Sequence, residues 1–257
     1  MDTQLYLDRI NFHKKIVVTK EVLFELQKTH LLNVPFENLD IHYGKKISIQ
    51  PNDIYQKVVI EKRGGFCYEL NGLFHQLLKK IGFNVKLISA QVHIKKGEYS
   101  PKYDHLAIIA TIDNQKYLVD VGFGKFSLEP LKIEINQKIK DNFGQFKFDK
   151  YDSDFFRINE IVNNDLIPQY IFKIQESKLS EFEKRCDFHQ TSKDSHFTQK
   201  KVISIAKENG RITLNNTRLK ITHLGIEKEI RFDEKEYKSR LKEHFNIEIK
   251  KAVANKM

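Results

Sequence analysis

Three residues of this 257-residue chain have types and spacing suited to covalent chemistry: Cys67, His105 and Asp120. A cysteine nucleophile needs a base within hydrogen-bond reach and a third group that orients the base. Cys67 lies in the run Arg63-Gly64-Gly65-Phe66-Cys67-Tyr68-Glu69-Leu70-Asn71, at the point where a helix should begin. A thiol in a first helical turn meets unpaired N–H groups and the positive end of the dipole, both of which favour thiolate. A paired imidazolium would lower its pKa further, whereas an apolar surrounding would raise it. The competing reading is that Cys67, three residues before Leu70, continues an apolar stripe as an inert buried thiol.

His105 opens a run rich in β-branched residues that ends at an Asp113-Asn114 turn. That turn pairs Ile112 with Gln115, so His105 falls opposite Gly122 and Ala107 opposite Asp120. His105 and Asp120 then share one face as diagonal neighbours, Cβ atoms roughly 7 Å apart. Asp120 is flanked by Leu118, Val119 and Val121, so its carboxylate needs a partner. This register predicts His105 between Cys67 and Asp120, bonded to both. A slip of one residue would separate the pair, leaving a surface histidine near a core aspartate.

The elements that must position these groups divide by period. Leu70, Leu73, Phe74, Leu77, Leu78 and Ile81 follow the i, i+3, i+4, i+7 rhythm of a buried helical face, and Gly82 is a stop of the expected kind. Residues 1–82 are mostly helical: Thr3–Ile10, a helix capped by Thr19 running to about Leu31, a loop over Pro35–Asp40, and a helix from Pro51 to about Glu61. From Phe83 the pattern changes to strands at Asn84–Val92, His105–Ile112, Gln115–Val121, Leu131–Ile135, Gln145–Phe148 and Phe155–Ile158. Residues 159–196 are polar and carry no readable period. Strands return at Lys201–Ala206, Arg211–Asn215 and Arg218–Thr222, and Asp233 caps a last helix through Tyr237, Leu241 and Phe245.

Composition narrows the classes. The formal charge is +10, from 44 Lys and Arg against 34 Asp and Glu. Acidic residues are mixed in throughout and no dense basic run occurs, so background composition accounts for the charge better than a nucleic-acid surface. A small acidic ligand such as a phosphorylated cofactor fits it equally well. No stretch approaches 18 apolar residues, so no membrane partner is expected. Two cysteines form no disulfide framework, which points to a reducing, cytoplasmic setting. Cys67 and Cys186 lack metal-ligand spacing, so no metal is expected. Gly122-Phe123-Gly124 is too short for a phosphate loop, although its glycines would let the chain approach an acyl group closely.

These motifs together resemble the arylamine N-acetyltransferases. The likeness starts at Tyr6-Leu7-Asp8-Arg9-Ile10 and runs through Pro35-Phe36-Glu37-Asn38, the Arg63–Asn71 stretch and His105 to Val119-Asp120-Val121-Gly122-Phe123-Gly124. It implies an α+β fold with a cysteine-protease-like Cys-His-Asp core: a helical bundle over 1–82 carrying the Cys, a β-barrel over 83–190 carrying the His and Asp, and an α/β lid over 191–257. It also implies acetyl transfer from acetyl-CoA to an aromatic amine or hydrazine, with Cys67 taking the acetyl group, His105 keeping it ionised and Asp120 orienting His105. By the same resemblance Phe36, Phe123, Gly122 and Gly124 belong to the acceptor site. Thr191, Ser192, Ser195 and Phe197 resemble a Thr-Ser-Pro-x-Ser-x-Phe stretch associated with CoA, with Lys193 in place of the proline. Arg9 and Glu37 support the site. A transglutaminase-like or papain-like hydrolase could use the same three residues, and a non-enzymatic basic binding module is the alternative of another class.

Overall fold

The computed structural model describes residues 1–249. Its helical part begins with Thr3–Arg9, whose Asp2 cap accepts from the Leu5 N–H, and Lys20–Asn33, capped by the Thr19 hydroxyl. Pro51–Tyr55 starts a helix at the position proline favours and passes into a π-helical turn, Gln56–Ile60. The helix Cys67–Ile81 crosses the middle of this group and ends at Gly82, whose φ of +107° suits a glycine. Leu70, Leu73, Phe74, Leu77 and Leu78 on its apolar stripe are all buried. Each contributes about 2 kcal/mol of burial.

The sheet that follows runs, edge to edge, Leu131–Lys132, Gln115–Val119, His105–Ile112, Asn84–Lys95, Asp165–Phe172, Phe156–Val162, Gly144–Lys150 and Lys138–Asp141, antiparallel throughout. A bridge from Ile135 to Phe148 brings the chain after the first edge back to the far side and nearly closes a barrel. The strand His105–Ile112 is covered on both faces. Ala107 and Ile109 pack inside the barrel with Ile88, Leu118, Phe146 and Tyr170, whereas Leu106, Ile108, Ala110 and Ile112 pack against the helices. Period-two alternation therefore puts His105 on the barrel-interior side and leaves Leu106 facing the Cys67 helix.

The third part is a five-stranded antiparallel sheet, in the order Phe36–Glu37, Val202–Lys207, Gly210–Asn215, Arg218–His223 and Ile226–Arg231. The helix Tyr237–Phe245 covers it through Tyr237 and Leu241. The helical bundle, barrel and mixed third part give the α+β architecture that the resemblance implied.

Local expectations differ at several places. Pro35–Asp40 is not a plain loop, since Phe36–Glu37 pairs with Ser204 and Ile203 and Leu39–His42 makes a helical turn. Residues 159–196 contain the strand Asp165–Phe172 and the helix Glu183–Thr191. Strand Ile226–Arg231 extends the last sheet by one. Leu131–Lys132 and Gln115–Val119 are shorter than their apolar runs, because the chain leaves the ladder to turn.

Candidate active site

Gln115 pairs with Ile112 and Val119 with Ile108, the register expected from the Asp113-Asn114 turn. The ladder stops there, and the next inward side chain, Asp120, meets His105: Nε2 lies 2.7 Å from Oδ2. His105 is 2% exposed and Asp120 2%. Asp120 accepts three further bonds, from Asn71 Nδ2 (2.8 Å), the Gly122 N–H (2.9 Å) and the Tyr170 hydroxyl (3.0 Å). Burial acts to raise its pKa, but the interaction with His105 and the bonds from His105, Asn71 and Gly122 outweigh it and hold the carboxyl below its usual range. With Nε2 turned to the carboxylate, Nδ1 is the ring nitrogen left for other work. Phe123 and Tyr170 flank the imidazole at 5.0 and 5.2 Å between ring centroids.

Cys67 is the first residue of its helix and 5% exposed. Asn71, one turn later on the same face, gives Nδ2 to the Leu106 carbonyl and to Asp120, and its Oδ1 accepts from the Val121 N–H. This one amide fastens the cysteine helix to both strands of the His–Asp pair. The backbones meet closely as well: a Cβ on Gly122 would lie 2.7 Å from Cys67 Cα. Gly122 thus makes room for the helix start. Tyr68 donates to the carbonyls of Tyr103 and Asp104, immediately before His105.

The expected bond from His105 to Cys67 is not among the hydrogen bonds of the described residues; Asp120 and the two aromatic rings hold the imidazole instead. Burial pushes the Cys67 thiol well above its ordinary pKa; the Leu106 N–H offsets part of this, while the Asp104 and Asp120 carboxylates add to it. The depressed pKa expected from the helix start is therefore opposed by desolvation. A lone thiolate is costly in this position, and the thiol can ionise cheaply only as its proton passes to a neighbouring base.

A buried ionic cluster supports the loop before Cys67. Arg63 donates to Glu37 and Asp40, and Lys57 lies 2.8 Å from both Asp40 and Glu69. Glu69 also accepts from the Phe66 N–H, fixing the first turn. Arg9 gives its guanidinium to the carbonyls of Asn33, Val58, Lys62 and Arg63. Gly64 is pressed against the Pro35 carbonyl, 1.9 Å from where its Cβ would be, so no other residue fits there.

The remaining predicted residues scatter. Phe36 lies beside Phe197, ring centroids 6.1 Å apart, and Phe197 also meets Phe66 at 5.9 Å. Gly124, half-buried with a φ of +90°, turns the chain after Phe123. Thr191 donates to the Asp187 carbonyl and Ser192 accepts from the Asp194 N–H, both local. Ser195 is 2% exposed, with its hydroxyl held by His189 and the Phe197 N–H. Sequence reasoning gave no role to Asn71 or Tyr170. A polar residue four positions after Cys67, inside an apolar stripe, was the available signal for Asn71.

A family model described as N-acetyltransferase matches residues 19–254. The chain is 30% identical over 98% of its length to a Gallus gallus protein, arylamine N-acetyltransferase, pineal gland isozyme NAT-3, covering 96% of it. It is 29% identical to Homo sapiens arylamine N-acetyltransferase 1, over 82% of this chain and 79% of that one. Among solved structures, the arylamine N-acetyltransferase of M. tuberculosis superposes with a TM-score of 0.89 at 27% identity, covering 96% of this chain and 94% of that one. The Mycobacterium marinum arylamine N-acetyltransferase in complex with CoA gives 0.87 at 25% identity, covering 96% and 93%. The chain belongs to the arylamine N-acetyltransferase family and is an acyltransferase.

Proposed function

We propose that the protein moves an acetyl group from acetyl-CoA to an aromatic amine or hydrazine through an acetyl-cysteine formed on Cys67. One observation carries the reading: a buried His105–Asp120 pair with Nε2 committed to the carboxylate, tied by Asn71 to a cysteine at a helix start. In the first half-reaction Cys67 Sγ attacks the thioester carbonyl and its proton passes to His105 Nδ1. The new S–C bond forms as the bond to the CoA sulfur breaks, and the departing thiolate takes the proton from His105. In the second half-reaction the amine nitrogen attacks the acetyl carbon and the Cys67 S–C bond breaks. The amine proton returns through His105 to the sulfur. Asp120 keeps Nδ1 unprotonated at the start of each half and stabilises the imidazolium between them. Because donor leaves before acceptor enters, the kinetics are ping-pong. The CoA complex of the Mycobacterium marinum relative supports the donor. We assign the acceptor to Phe36 and Phe123 and the donor to Thr191, Ser192 and Phe197 on the family resemblance; Ser195 has its hydroxyl bonded within the fold.

The test is incubation with acetyl-CoA carrying a labelled acetyl group and no acceptor. One equivalent of label on the Cys67 peptide, discharged by an arylamine, is the expected result. Hydrolysis without acceptor-dependent discharge would make the chain a thioesterase, and intersecting double-reciprocal lines would rule out ping-pong.

A further inference from the structure

Beside the catalytic residues lies a second set of polar groups that the mechanism does not use. Asp104 directly precedes His105, and its backbone carbonyl accepts from Tyr68, the residue after Cys67. Its side chain turns the other way, to the helix Glu183–Thr191. Asp104 Oδ1 accepts from Arg185 Nε and lies 2.9 Å from His189 Nε2, and His189 Nδ1 lies 3.1 Å from Ser195 Oγ. His189 is 3% exposed and Ser195 2%, so this Asp-His-Ser chain offers no serine to a substrate. What it contains is a carboxylate on the residue whose main chain Tyr68 holds, next to His105. Tyr68, the neighbour of Cys67, is bonded to the Asp104 main chain, and the charges of Asp104 and Asp120 both oppose ionisation of the thiol, Asp104 the more strongly. Asp120 is matched by His105. Among the described residues the full positive charge bonded to Asp104 is the Arg185 guanidinium, with His189, Ser100 and Arg185 together keeping the carboxyl ionised against burial.

We propose that Arg185 is a positioning residue that neutralises the Asp104 carboxylate, which His189 also holds, so that the helix Glu183–Thr191 sets the reactivity of Cys67 on another helix. The proposal rests on Cys67 being the nucleophile. It gives a role to the two bonds by which this helix, which has almost no apolar stripe, reaches Asp104. Withdrawing Arg185 would leave the Asp104 charge uncompensated and disfavour thiolate. Withdrawing Asp104 as well would remove the reason for the cation.

Iodoacetamide alkylation of Cys67 at fixed neutral pH tests this without an acyl donor, so its outcome is separate from the acetyl-CoA labelling above. Arg185 is partly exposed, so Arg185→Gln leaves the core intact. An uncompensated charge on Asp104, screened by protein and water, should slow alkylation by roughly five- to tenfold. Arg185→Lys, which keeps the charge, should stay within about twofold of wild type, and Arg185→Gln in an Asp104→Asn background should have no further effect. Rapid labelling of buried Cys186 reports any loss of fold, and in that event the Arg185→Lys and Asp104→Asn rates decide. Asp104→Asn alone should alkylate at least as fast as wild type. An unchanged rate in Arg185→Gln, or equal slowing with and without Asp104, would overturn the proposal and leave the helix a purely structural cover.

Discussion

Asp120→Asn separates the geometry of the site from its charge. The carboxylate accepts four bonds, two on each oxygen: Asn71 and Gly122 on Oδ1, His105 and Tyr170 on Oδ2. An amide of the same shape has one oxygen and two N–H donors. With its oxygen toward Asn71 and Gly122, both bonds survive, the Tyr170 hydroxyl rotates to accept, and His105 Nε2 must become an acceptor. The opposite orientation sets the amide against two buried donors, at about 1–3 kcal/mol for each one left unsatisfied. The first orientation therefore wins, and the imidazole proton moves to Nδ1, the nitrogen proposed to receive the thiol proton. The same tautomer inversion in a serine triad lowers turnover by about 10⁴, so single-turnover acylation of Cys67 should fall by roughly 10³–10⁴. Losing charge-assisted bonds should cost about 1–3 kcal/mol of stability at neutral pH. Because the folded pKa of Asp120 lies below its unfolded value, that stabilisation is present above the unfolded pKa and lost as pH falls through the folded one. The deficit of the variant should thus shrink in acid. Quenched-flow acylation, nitrogen NMR of the His105 ring and urea unfolding measure the three quantities. A folded variant acylating within tenfold of wild type, with the proton still on Nε2, would refute the reasoning.

Three further outcomes are expected. Cys67→Ala should abolish acetyl transfer, whereas Cys186→Ala should keep most of it, because Cys186 is a buried thiol whose pKa burial raises to about 12; comparable losses measured by arylamine acetylation would remove the single nucleophile. Lys57→Met leaves Glu37, Asp40 and Glu69 buried against Arg63 alone and should cost about 3–5 kcal/mol by urea unfolding; a loss below 1 kcal/mol would show the cluster open to water. Burial, aided by the charge of Glu37, raises the Glu69 carboxyl to about 7. Folding favours its protonated form, so stability should fall by about 1–3 kcal/mol as pH rises from 4.5 to 7, and Glu69→Gln should flatten that slope.

The catalytic strand was legible because its determinants are local. A two-residue Asp-Asn turn fixed which residue faces which, and alternation carried Asp120 to the side of His105. Tyr170 was hidden by its own strand. Pro168 interrupts the run Asp165–Phe172, and the register shifts between Pro168 and Tyr170. That bulge turns Tyr170 and Phe172 into the barrel, in a pattern no regular alternation shows. The helix Glu183–Thr191 was hidden for the opposite reason: Arg185 and His189 tie it to Asp104 and Gln190 to Ile47, so polar contacts rather than an apolar stripe hold it. Phe36–Glu37 pairs with residues more than 160 positions away, and nothing near it in sequence announces the partner.

The stretch Arg63–Asn71 resists piecemeal change because nearly every residue answers to a different part of the molecule. Arg63 binds Glu37 and Asp40, Gly64 touches Pro35, and Gly65 leaves space for Glu69, whose side chain would lie 2.7 Å from a Cβ there. Tyr68 holds the entry to the His105 strand, Leu70 packs into the helical core, and Asn71 reaches Asp120. The ionic cluster beneath joins two cations to three carboxylates, which leaves one negative charge in excess at a buried site. A carboxyl that gives up its charge near neutrality relieves that excess, and Glu69 is the one whose pKa is raised. Glu69 also caps the Phe66 N–H, so the proton that balances the cluster sits on the residue fixing the first turn around Cys67. A buried charge network can therefore persist here without an equal count of cations, and removing either cation should harm the helix start before it harms the rest of the fold.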